Sequence, residues 1–186
     1  MNNKDIIKYA FIFAIIFCAA FFLGFYVPNY RDSKMLEFYK SSMAPVANLS
    51  GSKRFFYILY RNTRSDLMTV ISGILFGVGP FVSIIINGYL DGLTFQYGSV
   101  KMGYKNAALA IFPHGIFEVL AMIIAASYGL RLGKIFYSWL IQKDTVDLRN
   151  NIKIALKIYI IICIPLLVFA SFIETYVTPH LYARMP

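Results

Sequence analysis

Charge is scarce in this sequence, and acidic charge scarcest: Asp, Glu, Lys and Arg make up 15% of the 186 residues, and only nine are acidic. Hydrophobic residues reach 59% with a mean hydropathy of +0.62. That balance excludes an ordinary soluble domain and makes a bilayer the natural solvent. Cysteine is nearly missing. Cys18 and Cys163 both sit inside apolar runs, where a thiol behaves as a small hydrophobe, so no disulfide framework is expected. Also missing are His-Glu-x-x-His, Gly-x-Ser-x-Gly, a Walker-type glycine loop and Cys-x-x-Cys. Zinc proteolysis, nucleophilic hydrolysis, nucleotide binding and thiol redox chemistry therefore lack support, and we expect neither an enzyme nor a cofactor.

What charge there is has one sign, with 18 Lys and Arg giving a net +9. Nucleic-acid binders gather such residues on a soluble face, whereas here they flank apolar runs. The expected partner is a lipid bilayer with anionic headgroups, not nucleic acid. Crossing about 30 Å of hydrocarbon takes about 20 residues, so the length suits one integral membrane domain over 1–186 and no separate soluble domain. The fold class is all-α, a polytopic transmembrane bundle of about four spans, or five if the stretch before Pro113 crosses.

The first span is expected over 9–27. Its uncharged run from Tyr9 to Tyr30 exceeds a signal-peptide core of about 7–15 residues. The next stretch is basic, and Lys53 to Arg64 interleaves cations with Phe55, Phe56, Tyr57 and Tyr60, as in an amphipathic helix lying in the interface over 53–64. A second span over 67–90 carries Gly73-x-x-x-Gly77, a spacing that lets another helix approach closely, followed by Gly79-Pro80 and Gly88. Gly79-Pro80 invites a mid-membrane kink. Residues 93–112 read as a broken or re-entrant piece, with a third span at 113–136 started by Pro113 and a fourth at 154–174. With four spans, the Lys and Arg counts of alternate loops place both ends of the chain outside and the two basic loops in the cytoplasm.

Ionisable groups inside such spans cost several kcal/mol or so unless paired or hydrated, and by default they mark a functional site. His114 and Glu118 stand four apart in a helix begun by Pro113, hence on one face, with Gly115 between them. Asn87 offers an amide beside Gly88, and Glu174 closes the fourth span. Together His114, Glu118, Asn87 and Glu174 form the expected polar intramembrane site. One His with one or two carboxylates could hold a divalent metal, but the spacing neither requires nor excludes it. Asn62, ahead of the second span, reads as a cap or surface residue.

The string Pro113-His114-Gly115-Ile116-Phe117-Glu118, with Ala121, Ala125 and Gly129-Leu130-Arg131-Leu132-Gly133, resembles the central motif of the stage II sporulation protein M family. Asn62, Asn87-Gly88, and Glu174 with Thr178-Pro179 are similar to that family's other landmarks. The resemblance implies a membrane protein of four to five helical spans. Its namesake works in a membrane complex with cell-wall-degrading partners during engulfment, so membrane or cell-envelope protein partners are one expectation. The expected function is that of a multi-pass cell-membrane protein, transport- or channel-like and homo-oligomeric, whose His/Glu/Asn site handles an ion, proton or small solute. A non-catalytic scaffold is the alternative.

Overall fold

The computed structural model describes residues 3–28, 34–143 and 147–183. Among them every regular element is helical: α1 (Asn3–Phe25), α2 (Lys34–Ala47), α3 (Gly51–Ser72), α4 (Val78–Met102), α5 (Tyr104–Tyr137), α6 (Leu148–Ile158), α7 (Ile164–Phe172) and α8 (Thr178–Ala183). Four stretches are long and apolar enough to cross a membrane, namely Asp5–Phe25, Val78–Met102, Tyr104–Gln142 and Leu148–Leu181. The all-α multi-pass architecture is as the composition implies.

The last of these stretches joins α6, α7 and α8 through π turns at Tyr159–Cys163 and Ile173–Val177. Proline lacks the amide of a regular helix and its ring crowds the preceding turn, so the wider turn just before Pro165 lets the helix continue.

Paired contacts give the direction of each helix. Phe13 stacks on Phe81 with ring centroids 4.9 Å apart, and Phe21 and Phe25 both reach Phe95, so α1 and α4 run parallel. Asn62 meets Glu118, and Gly73 meets the backbone of Gly129, so α3 runs parallel to α5. Thr69 and Ser83 hydroxyls 2.6 Å apart make α3 and α4 antiparallel. Phe117 on Phe169, and Arg131 donating to Asn151 at 3.1 Å, set the long C-terminal helix antiparallel to α5.

These directions correct three expected boundaries. The second span does not cover 67–90. The chain reverses at 73–77, where Phe76 (φ 54°) and Gly77 (φ 78°) take left-handed backbone, a conformation glycine adopts without side-chain clash. Pro80 then lies in the first turn of α4, where its missing amide costs no hydrogen bond, so Gly79-Pro80 starts a helix and kinks nothing in mid-span. Second, residues 53–64 form no separate interfacial helix. They belong to α3, which packs into the bundle with Ile58 only 3% exposed while Phe56 and Tyr60 face outward. Third, 93–112 is not re-entrant. It is the end of α4 and the start of α5, joined at Gly103, and Pro113 sits inside α5 instead of beginning it. Within Asp91 to Ser99, Ser99 donates to the Gln96 carbonyl and the Gln96 amide to the Val27 carbonyl.

The loop count changes with α3. Four of the basic residues assigned to the first loop, Lys53, Arg54, Arg61 and Arg64, lie along a helix that traverses the bundle.

The glycine spacing is used within the chain. Gly73 and Gly77 meet Gly129 and Gly133 of α5, so near that a methyl group on Gly73 would overlap the Gly129 backbone. Four residues without side chains bring α3, its turn and α5 almost into backbone contact. That close approach leaves no room for side chains between α3 and α5 at this end of the bundle.

Candidate functional site

Beyond that close approach, α3, α4, α5 and the C-terminal helix enclose a cavity of about 150 Å³. Helical spacing builds each wall. From α3 come Ile58, Arg61, Asn62, Ser65 and Asp66; from α4, Asn87, Leu90, Asp91 and Thr94. The α5 wall holds Ile111, His114, Gly115, Glu118, Val119 and Met122, and Leu167 and Glu174 close the remaining side. All four residues expected as the polar site, His114, Glu118, Asn87 and Glu174, thus line one chamber.

Their partners define its chemistry. Glu118 accepts a short hydrogen bond from the Asn62 amide, tying α5 to α3. Asn62 is therefore no surface cap. Asn87 donates to the Ser83 carbonyl at 2.8 Å, one turn earlier on its own helix. Glu174 sits in the second π turn with Oε1 3.9 Å from Arg54 Nη2, a loose ion pair. Arg61 acts electrostatically on Asp91 and Glu174, and Glu118 on its part feels the carboxylates of Glu174, Asp91 and Asp66. Three buried atoms of cavity residues have no hydrogen-bond partner among the described residues: His114 Nδ1, Asp66 Oδ2 and Thr94 Oγ1. Buried polar atoms without protein partners are those that water or a ligand satisfies, because leaving one unpaired costs about 1–3 kcal/mol.

The helix-break residues have other duties. Gly115 lies in the cavity wall, with Ile111 Cγ2 3.9 Å from where its Cβ would stand. Gly79 lies against Ser72, and Gly88 faces away from the cavity onto Phe17 and Ala20 of α1. Pro113, next to His114, deprives the Leu109 carbonyl of its usual helical donor.

A second hollow, about 270 Å³, shares Thr94, Ile111, His114 and Glu174 with the first and continues past Arg54, Tyr97 and Met102 to the α4–α5 turn. His114 and Glu174 thus stand where an inner chamber meets a vestibule. At the opposite end Met122, Leu167, the Thr69–Ser83 contact and the glycine seam leave no such continuation. A further hollow of about 390 Å³, lined by α3, shares Arg61 and Ser65 with the chamber.

Among the described residues no three His, Cys, Asp or Glu side chains converge as metal ligands. Sequence reasoning missed Asp66, Asp91, Arg61, Ser65 and Thr94. The signal was present: Asn62 and Asp66, and Asn87, Asp91 and Thr94, recur at helical spacing on single faces of α3 and α4.

The profile of the family described as stage II sporulation protein M matches residues 13–179. The chain belongs to the stage II sporulation protein M family. Consistent with this, it is 34% identical over 128 residues to an uncharacterized protein of Methanocaldococcus jannaschii, covering 67% of this chain and 70% of that one. No solved structure matches it. The family assignment takes in α3 to α7 and with them every wall of the cavity. It makes the chain a multi-pass membrane protein, and the chemistry of the chamber has to carry any statement of activity.

Proposed function

We propose that this family member is a non-enzymatic transport or channel-like protein of the cell membrane, passing an ion, proton or small solute through the chamber around His114 and Glu118. The observation that carries this reading is a polar cavity deep in an apolar bundle that shares Thr94, Ile111, His114 and Glu174 with a second hollow toward the α4–α5 turn. A bundle that needed only polar ties between helices would close around them, since unpaired polar atoms in hydrocarbon are costly. Here His114 Nδ1 and Asp66 Oδ2 are left without protein partners beside a chamber of water-holding size. Polar sites walled by side chains of several helices are where many carriers hold their substrates.

The cavity is built within one chain, and Gly129 and Gly133 already fill the glycine face that a second copy would have used. Each protomer of a homo-oligomer would hold its own chamber. Reconstituted in liposomes, the protein should pass an ion, proton or small solute, and His114→Ala or Glu118→Gln should abolish the flux. Equal leak through wild type and both variants refutes transport.

One observation favours a scaffold instead: the Asn62–Glu118 bond ties two helices and would serve packing alone. On that reading the chain assembles with membrane or cell-envelope proteins and uses its polar groups only to set helix positions. Glu118→Gln would then lower stability or complex integrity, and a fully folded but inactive variant contradicts it.

A further inference from the structure

We propose that the chamber binds a monovalent cation, an alkali-metal ion with its waters or a small protonated amine, between Asp66 and Glu118, and exchanges it for protons. The inference rests on the transport reading and adds the substrate class and the coupling.

Charged and titratable groups face these two carboxylates from each packed element. α3 brings Arg54 and Arg61, α4 Asp91, α5 His114, the first π turn the Tyr159 hydroxyl and the Cys163 thiol, and the second π turn Glu174. Arg54 pairs with Glu174 at 3.9 Å, and Arg61 acts on Asp91. Two cations thus answer two anions, leaving Asp66 and Glu118 in excess. Even a protonated His114 would balance only one of them.

Glu118 has the Asn62 amide, a neutral donor. Asp66 has less. Its side chain is buried, 5% exposed, lines the chamber, and has Oδ2 without any hydrogen-bond partner among the described residues. Two uncompensated carboxylates lining one chamber in an apolar bundle cannot both stay charged without a counter-ion. Protons or a bound cation must supply that balance, and each excludes the other: a cation entering as one positive charge releases one proton from a carboxyl oxygen, and its departure restores that proton. Mutual exclusion at one site is itself the coupling.

Size and ligand geometry narrow the cation. About 150 Å³ is the volume in which a dry cavity holds a benzene-sized molecule, so it exceeds a bare ion and suits a partly hydrated one or a short alkylammonium. A tightly held divalent ion would want more carboxylates close together, and no three acidic, His or Cys ligands converge among the described residues.

The test uses the full-length protein in detergent, weakly buffered with a pH dye. Sodium, potassium or methylammonium chloride is added, with N-methylglucamine chloride as the oversized control. The expected result is about one proton released per cation bound, with apparent cation affinity rising about tenfold per pH unit. Whether alkali ions or methylammonium give the release distinguishes the two sources of charge. Asp66→Asn and Glu118→Gln, eluting as wild type on size exclusion, should lose it. The affinity–pH slope of the wild-type protein tests the exchange without any variant. No proton release with any of the three salts, or undiminished release from Asp66→Asn, overturns the proposal. His114-dependent passage of some other solute in liposomes would then leave transport standing. Release in detergent with no flux in liposomes supports the cation site and refutes transport.

Discussion

Gly73→Ala tests the glycine seam between α3 and α5. Gly73 has helical backbone (φ −57°), so alanine meets no torsional strain there. The obstacle is the Gly129 backbone of α5, which lies where the new Cβ would stand, with no flexible side chain to yield. α3 and α5 must part, and overpacking of this kind costs about 1–3 kcal/mol, toward the upper end when the neighbour is backbone. At roughly 2–4 °C per kcal/mol for a chain of this size, about 3 kcal/mol lowers the apparent Tm in detergent by about 6–12 °C. Gly115→Ala supplies the contrast. It lies in the same helix as Gly129, but its Cβ would meet nothing closer than Ile111 Cγ2 at 3.9 Å. There the change should leave Tm unmoved or raise it by about 2–4 °C, through the helix preference of alanine of up to about 1 kcal/mol. In liposomes Gly73→Ala should add a leak that Glu118→Gln does not block, because α3 and α5 have parted. Equal melting of the two alanine variants would refute the close approach of α3 and α5.

Other outcomes follow from the chamber. Asn62→Ala should cost about 1–3 kcal/mol, since it strips the donor from a buried carboxylate. A double-mutant cycle with Glu118→Gln, read by thermal melting, should show the two positions coupled, and additive effects would deny the bond. Arg54→Gln should shift stability by less than about 1 kcal/mol, because a 3.9 Å pair with Arg54 31% exposed is weak. Flux past the vestibule should change nonetheless. Thr69→Val, nearly isosteric, should cost about 1 kcal/mol by removing the hydroxyl that meets Ser83 across α3 and α4.

The polar site was partly legible in advance for a simple reason. His114, Glu118, Asn87 and Glu174 interrupt apolar runs, so their cost in hydrocarbon marks them individually. Asp66, Arg61 and Asn62 were not legible in that way, because they lie in a stretch polar enough to pass for a loop and an interfacial helix. Asp91 escaped because it falls at the end of an apparent span. Ile58, Asn62, Asp66 and Thr69 do share one helix face, but that face points to a site only once α3 is known to lie inside the bundle. The glycines show the same limit. Gly73-x-x-x-Gly77 announced a close contact, yet nothing in that spacing named Gly129 and Gly133 as the other half, or showed that Gly77 stands in a turn and not on a helix.

Composition and hydropathy alone determined that the chain is helical and embedded in a bilayer, because every backbone amide in hydrocarbon must be satisfied locally and long apolar runs have no other stable place. They also determined which ionisable residues lie in those runs. Tertiary structure alone decided where the chain reverses, that α3 passes through the bundle alongside α5, and that four carboxylates and a histidine from α3, α4, α5 and the second π turn face one chamber. Each of those outcomes depends on pairing between residues distant in sequence, 56 positions apart for Asn62 and Glu118, and periodicity along one helix says nothing about which face of another it will meet.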